Sequence, residues 1–142
     1  MAIALVTNTV KGGSANGVTS DAIDSTGANL IVVSAAWYPG TTANGTLTDS
    51  KSNTWTALVR ELNVPSGSLY VERLFYCAAP TVGSGHTFTF NATGIYPSIA
   101  VAAFSGVHAT PFDQENSASG SSPLSTGSVT PTVDNELVIT GI

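Results

Sequence analysis

Leu30-Ile31-Val32-Val33-Ser34-Ala35-Ala36-Trp37-Tyr38 is apolar on both of its alternating sets of side chains. Gly27-Ala28-Asn29 precedes it and Pro39-Gly40 follows it. A β-branched run of this length between turn residues reads as a central strand with both faces covered. Working outward, residues 86–92 alternate strictly, with His86, Phe88 and Phe90 on one face and Thr87, Thr89 and Asn91 on the other. Residues 69–78 set Tyr70, Glu72, Leu74 and Tyr76 against Val71, Arg73, Phe75 and Cys77. Residues 54–62 put Trp55, Ala57 and Val59 on one face, and residues 98–106 form a further buried run. Residues 2–10 are a first strand, residues 18–25 a weaker one, and residues 41–48 a loop or short edge strand. The Gly12-Gly13-Ser14-Ala15-Asn16-Gly17 stretch reads as a hairpin turn; it lacks the Lys-Ser/Thr ending and following helix of a phosphate loop. Residues 108–131 are a long polar loop with at most a short edge strand near 124–129, and residues 136–142 are a last strand. Seven or eight short strands at these spacings predict an all-β protein, an antiparallel two-sheet sandwich of jelly-roll type.

Composition agrees. Four basic and nine acidic side chains in 142 residues leave no supply of charged outer faces for long amphipathic helices. Ser and Thr cover the solvent faces instead. The length suits one domain, residues 1–142, able to bury a core without staples. The net charge of −5 and the scatter of Lys11, Lys51, Arg60 and Arg73 argue against a nucleic-acid partner and against an anionic membrane surface. The start of the chain lacks the cationic residues and the apolar stretch of roughly 7–15 residues that a secretory signal needs. No run approaches the ~20 apolar residues that span a bilayer.

Chemistry is harder to find. The single cysteine, Cys77, sits in an apolar strand and reads as a small buried hydrophobe. The carboxylate pairs Asp21/Asp24, Glu61/Glu72, Asp113/Glu115 and Asp134/Glu136 fall at turns or on solvent-facing strand positions and read as surface groups. Only His86, His108 and Cys77 could supply nitrogen or sulfur to a metal, and their spacing suits none. Asp49-Ser50-Lys51-Ser52-Asn53 offers oxygen donors, but with Lys51 among them it reads as a tight turn whose Asp and Asn bond their own backbone. There is no Gly-x-Ser-x-Gly elbow and no histidine in a triad order, and His86 reads as a partly buried, hydrogen-bonded strand residue. No catalytic residue, cofactor or metal is expected. Trp37 and Trp55 read as core. Tyr38, Tyr70 and Tyr96 are the residues left open for ligand or partner contact, and loops 39–50 and 108–131 are the expected contact surfaces. Asn44-Gly45-Thr46 and Asn91-Ala92-Thr93 match a glycosylation pattern.

The stretches TGANLIVVSAAWY (26–38), DSKSNTWTAL (49–58), FYCAAPTVGSGHTFTF (75–90) and VAAFSGVHATPFD (101–113), in that order, resemble a β-sandwich family of phage and prophage structural proteins that also occurs in bacterial surface proteins. The resemblance covers most of residues 25–115 and rests on turn and core signatures. It implies a non-enzymatic virion component, either a capsid decoration (cement) protein or a fibre module, assembled in the host cytoplasm. Its implied partners are further copies of itself, the major capsid protein or another virion protein. It also implies a C-terminal edge completed by another chain or subunit. The rival is a carbohydrate-binding or adhesin module of a bacterial surface protein, with a glycan as partner.

Overall fold

The computed structural model describes residues 2–38, 44–63, 70–118, 125–133 and 136–141. Among them there is no helix. Seven strands form one antiparallel sheet: β1 (Ala4–Gly12), β2 (Ala15–Thr19), β3 (Leu30–Tyr38), β4 (Thr46–Asp49), β5 (Thr56–Asn63), β6 (Tyr70–Ala78) and β7 (Phe88–Ser105). The main path runs β1-β7-β3-β6-β5, and β2 and β4 pair with the remaining length of β7.

β7 organises everything else. Its C-terminal half pairs β1 on one edge and β3 on the other, from Ala4↔Ser105 to Gly12↔Ser98 and from Leu30↔Phe104 to Ala36↔Ser98. Its N-terminal half pairs β2 and β4 across the same residues, so that Val18, Phe90 and Leu47 stand in one row. Residues 86–92 and 98–106 were expected as two short strands; they are parts of one strand of 18 residues. The expected break became a bulge. Phe88, Phe90 and Ala92 are buried, and so are Pro97, Ile99, Val101 and Ala103. Side chains two apart share a face, so the inward set passes from even to odd numbers between Ala92 and Pro97. Gly94 at φ 149° and Tyr96 at φ 53° supply the irregular backbone that this change of parity needs.

The Gly12–Gly17 stretch is no hairpin. β1 and β2 both run antiparallel to β7 along the same edge, so the chain continues forward and only kinks there. Gly13 N–H donates to Pro97 O at 2.7 Å, tying that kink to the bulge in β7. A Cβ on Gly13 would lie 2.9 Å from Gly17 O, which explains the glycine.

With β7 bent, the sheet curls over its own inner face. Phe90 lies 5.0 Å, centroid to centroid, from Trp37 of β3 and 6.1 Å from Phe75 of β6. Ile31, Val33, Ala35, Val71, Ile99, Val101 and Ala103 complete this core, and Val6, Ile23, Trp55 and Val82 pack at its margin. Gly45 sits where a Cβ would fall 2.0 Å from the Phe90 ring, so only glycine admits the ring there. The Trp37 indole N–H is buried with no hydrogen-bond partner among the described residues.

The outer face of β3 and β6 is partly covered by the segment after β7. Asn29 clasps Val107, donating from Nδ2 to its carbonyl at 2.6 Å and accepting its N–H at 3.1 Å. Phe112 stacks on Tyr76, and Glu115 accepts Val59 N–H at 3.2 Å. Farther on, Asp113 accepts both the N–H and the hydroxyl of Thr132, and these bonds hold its carboxyl below the ordinary carboxylate range. Two expectations fail here. Residues 136–141 carry no strand, although Leu137, Val138 and Ile139 form a continuous apolar run; Leu137 and Val138 remain exposed. In β5 a register shift between Ala57 and Arg60 breaks the expected alternation, which is why Val59 is exposed rather than aligned with Trp55.

Because Phe90 fills the turn of the sheet, Phe90→Ala should destabilise the fold by about 3–5 kcal/mol in urea unfolding. A change below about 1 kcal/mol would contradict the packing described.

Candidate functional site

A single string of side chains carries the chemistry of the interior. Asp49 ends β4, His86 precedes β7, and Ser25 lies in the link between β2 and β3. The Ser25 hydroxyl is 2.8 Å from His86 Nδ1, and His86 Nε2 is 3.1 Å from Asp49 Oδ1. The side chains of His86 and Asp49 are fully buried, as is Ser25. The backbone brings them together: Ile23 and His86 exchange two hydrogen bonds as an isolated bridge, and Ser25 N–H donates to Gly83 O at 3.2 Å.

The bonding leaves little unassigned. Asp49 Oδ1 accepts Lys51 N–H at 2.7 Å and Asn53 Nδ2–H at 3.2 Å; Oδ2 accepts Asn53 N–H at 3.2 Å and Trp55 Nε1–H at 2.7 Å. A carboxylate accepts hydrogen bonds only, so His86 donates from Nε2 to Asp49. Ser25 Oγ bonds His86 Nδ1, accepts Gly83 N–H at 3.1 Å and lies 3.2 Å from Gly83 O, to which it can also donate. Asn53 extends the brace, donating to Thr81 O at 3.0 Å and accepting Thr81 N–H at 2.7 Å. The His86 ring also stacks on Phe88 at 4.3 Å.

A serine, an imidazole and a carboxylate bonded in series have the connectivity of a nucleophile, a base and its orienting acid. Two features separate this string from such a site. None of its side chains meets solvent, and Ser25 Oγ is held by backbone on its far side. What the arrangement does chemically is cross-link the turn after β4, the β2–β3 link and the start of β7. The sequence reading named His86 and the Asp49–Asn53 turn separately and placed no histidine in a triad order; Ser25 was missed. The Asn53 and Asp49 bonds to neighbouring N–H groups are those expected of the turn. Asp49 itself, its side chain fully buried, was not in any expected acid pair. Only its place between a short strand and a tryptophan could have signalled it.

The expected acid pairs go elsewhere. Asp21 bonds Lys11 at 2.8 Å, Asp24 bonds Thr26, and Glu72 is half-buried with Ser34 donating to it at 3.0 Å. The side chain of Glu61, and Asp134, lie outside the described residues. Cys77 is buried, and burial pushes its thiol up, with Asp49 adding to the effect. No group of three metal-ligating side chains occurs among the described residues.

Of the three tyrosines expected at a contact surface, the structure brings two together. Tyr38 and Tyr70 meet edge to face, 5.4 Å between centroids at 69°, so they form no flat platform. Tyr96 stands apart on the β7 bulge and is 68% exposed. Trp37 is core and Trp55 is half-buried, its N–H on Asp49. Of the expected contact loops, residues 39–43 lie outside the described residues. Residues 46–49 form β4 with Leu47 buried, so this part is not a free loop.

No protein-family model, no curated protein and no solved structure matches this chain. The fold and the buried string therefore define only a class: an all-β protein whose catalytic-looking residues are sealed inside it.

If the string is a brace, Asp49→Ala should lose the most stability, about 3–5 kcal/mol, because it strands several buried N–H donors at once. His86→Phe should lose less and Ser25→Ala about 1–2 kcal/mol, measured by urea unfolding. Variants as stable as the parent, or more so, would mark the string as a strained functional site instead.

Proposed function

We propose that this chain is a non-enzymatic structural protein of a virion, a capsid-decoration or fibre component that works by assembling through its sheet. On this reading the curled sheet is a jelly-roll-like sandwich whose two walls are joined through β7. The observation that carries the proposal is the edge strand β1. It ends the main path of the sheet, is nine residues long, and leaves Leu5 52% and Val10 71% exposed. Residues paired across an antiparallel ladder share a face, so Leu5 and Val10 extend the row of Phe104 and Ala100 on the outer side of the sheet. A long edge with apolar side chains invites another chain unless it is blunted, and Lys11 is the one charge on β1. The near-absence of charge elsewhere and the cover of Ser and Thr suit a passive shell component. The sealing of Ser25, His86 and Asp49 supports a role without bond breaking.

Sedimentation velocity over a wide concentration range, alone and with purified phage heads, tests this. We expect a discrete oligomer or co-sedimentation with the particles, and at least a tenfold weaker association for Val10→Lys. A monomer at every concentration that also fails to bind particles would overturn the proposal.

A further inference from the structure

The bulge in β7 builds a second feature on the outside of the sheet. Ala15 pairs with Ile95 and Gly17 with Asn91, so Asn16 alone on β2 stands against Ala92, Thr93 and Gly94 on β7. β7 arches away from its neighbour there. On its other edge Asn91 pairs with Thr46, which brings Asn44 alongside. The result is an open depression of about 280 Å³, lined by Asn16, Asn44, Asn91, Ala92 and Thr93.

We infer that this depression is a binding site for one pyranose unit of a neutral carbohydrate. The chemistry of the lining carries the choice of ligand. Three carboxamides and a hydroxyl surround it, and no charged side chain lines it among the described residues. An anion would call for Lys or Arg and a cation for carboxylates. A carboxamide offers acceptor and donors side by side, which matches adjacent ring hydroxyls that both donate and accept. The Asn16 and Asn91 amides make no hydrogen bond among the described residues, so binding would break none of their protein contacts. The Asn91 side chain lies over Gly17, where a Cβ would fall 2.8 Å from its Oδ1; the glycine leaves room for that amide. The volume lies just below the roughly 300 Å³ at which small-molecule sites begin.

The backbone supports the same assignment. Among the described residues, Asn16 and Tyr96 are two of the four non-glycine residues with positive φ, at 51° and 53°, and they flank the Ala15–Ile95 pair of this bulge. A bulky residue held in that region is a local strain that marks functional positions. On this inference Tyr96, 68% exposed one residue beyond Ile95, supplies an aromatic ring for the apolar C–H face of the sugar. The inference is independent of assembly through β1, because it uses other residues and another part of the sheet.

Titrating ¹⁵N-labelled protein with the methyl glycosides of glucose, galactose, mannose and N-acetylglucosamine, with glycerol as an acyclic control, tests it. We expect at least one glycoside to shift the Asn16, Asn91 and Thr93 signals saturably, with Kd on the order of millimolar, and glycerol to leave them unmoved. Asn91→Ala and Tyr96→Gly should each weaken that binding at least tenfold while the rest of the spectrum is retained; glycine keeps the left-handed backbone and removes only the ring. The inference is overturned if none of the four sugars gives a saturable shift, if glycerol reproduces the shifts, or if both variants bind as the parent does. Sedimentation of the same samples reports on assembly separately, so either reading can fail without the other.

Discussion

One strand is shared by both parts of the sheet, and the change of face within it is the constraint on which the structure depends. Phe88 and Phe90 point inward from one half of β7, Ile99 and Val101 from the other, and the bulge at 93–97 reconciles the two. Without that change, the half-strand bearing Phe90 would send its aromatic rings to solvent, because a slip of one residue turns every side chain to the opposite face. With it, Phe90 closes on Trp37 and Phe75 across the inner face of the sheet. β1 and β2 follow the same bend along one edge of β7, and β3 and β4 pair successive parts of the other.

A curled sheet held only by its core would leave its turns loose at the end where β7 begins. The Ser25–His86–Asp49 string answers that need. Burying an imidazole and a carboxylate is costly unless each polar atom is bonded, and each of theirs is. The same sealing that makes the string a good brace makes it a poor reaction centre. In the roles proposed above, assembly uses the exposed edge of β1 and recognition uses the neutral depression above the bulge. The bulge thus serves both sides of the sheet, turning the core inward and leaving the asparagines outward.

Much of the fold was legible in the chain. The run from Leu30 to Tyr38 and the alternation of Phe88 and Phe90 identify their strands because burial acts locally on side-chain periodicity. The alternation was equally able to mislead. Ala57 and Val59 continue the pattern of Trp55, but a register shift in the ladder, invisible to periodicity, exposes Val59. Gly13 and Gly17 look like punctuation for a reversal, yet they serve close approaches beside β7, to Gly17 O and to Asn91. Residues 136–141 have strand-like composition and no ladder, since a strand also needs a partner at the right register. The buried string was the least legible part: Ser25, Asp49 and His86 are each ordinary turn or strand-end residues, and only the pairing of distant segments makes them neighbours. Tyr38 and Tyr70 were recognisable as surface aromatics, but their edge-to-face contact depends on β3 and β6 lying side by side.

The nuclear Overhauser effect between the Phe90 ring and the Trp37 indole measures the bend of β7 directly. We expect clear cross-peaks between them, in keeping with centroids 5.0 Å apart, together with cross-strand contacts from Phe90 to Val18 and Leu47. Cross-peaks from Phe90 to its strand neighbours alone, with none to Trp37 or Phe75, would show a sheet that does not fold back on itself and would contradict the structure described.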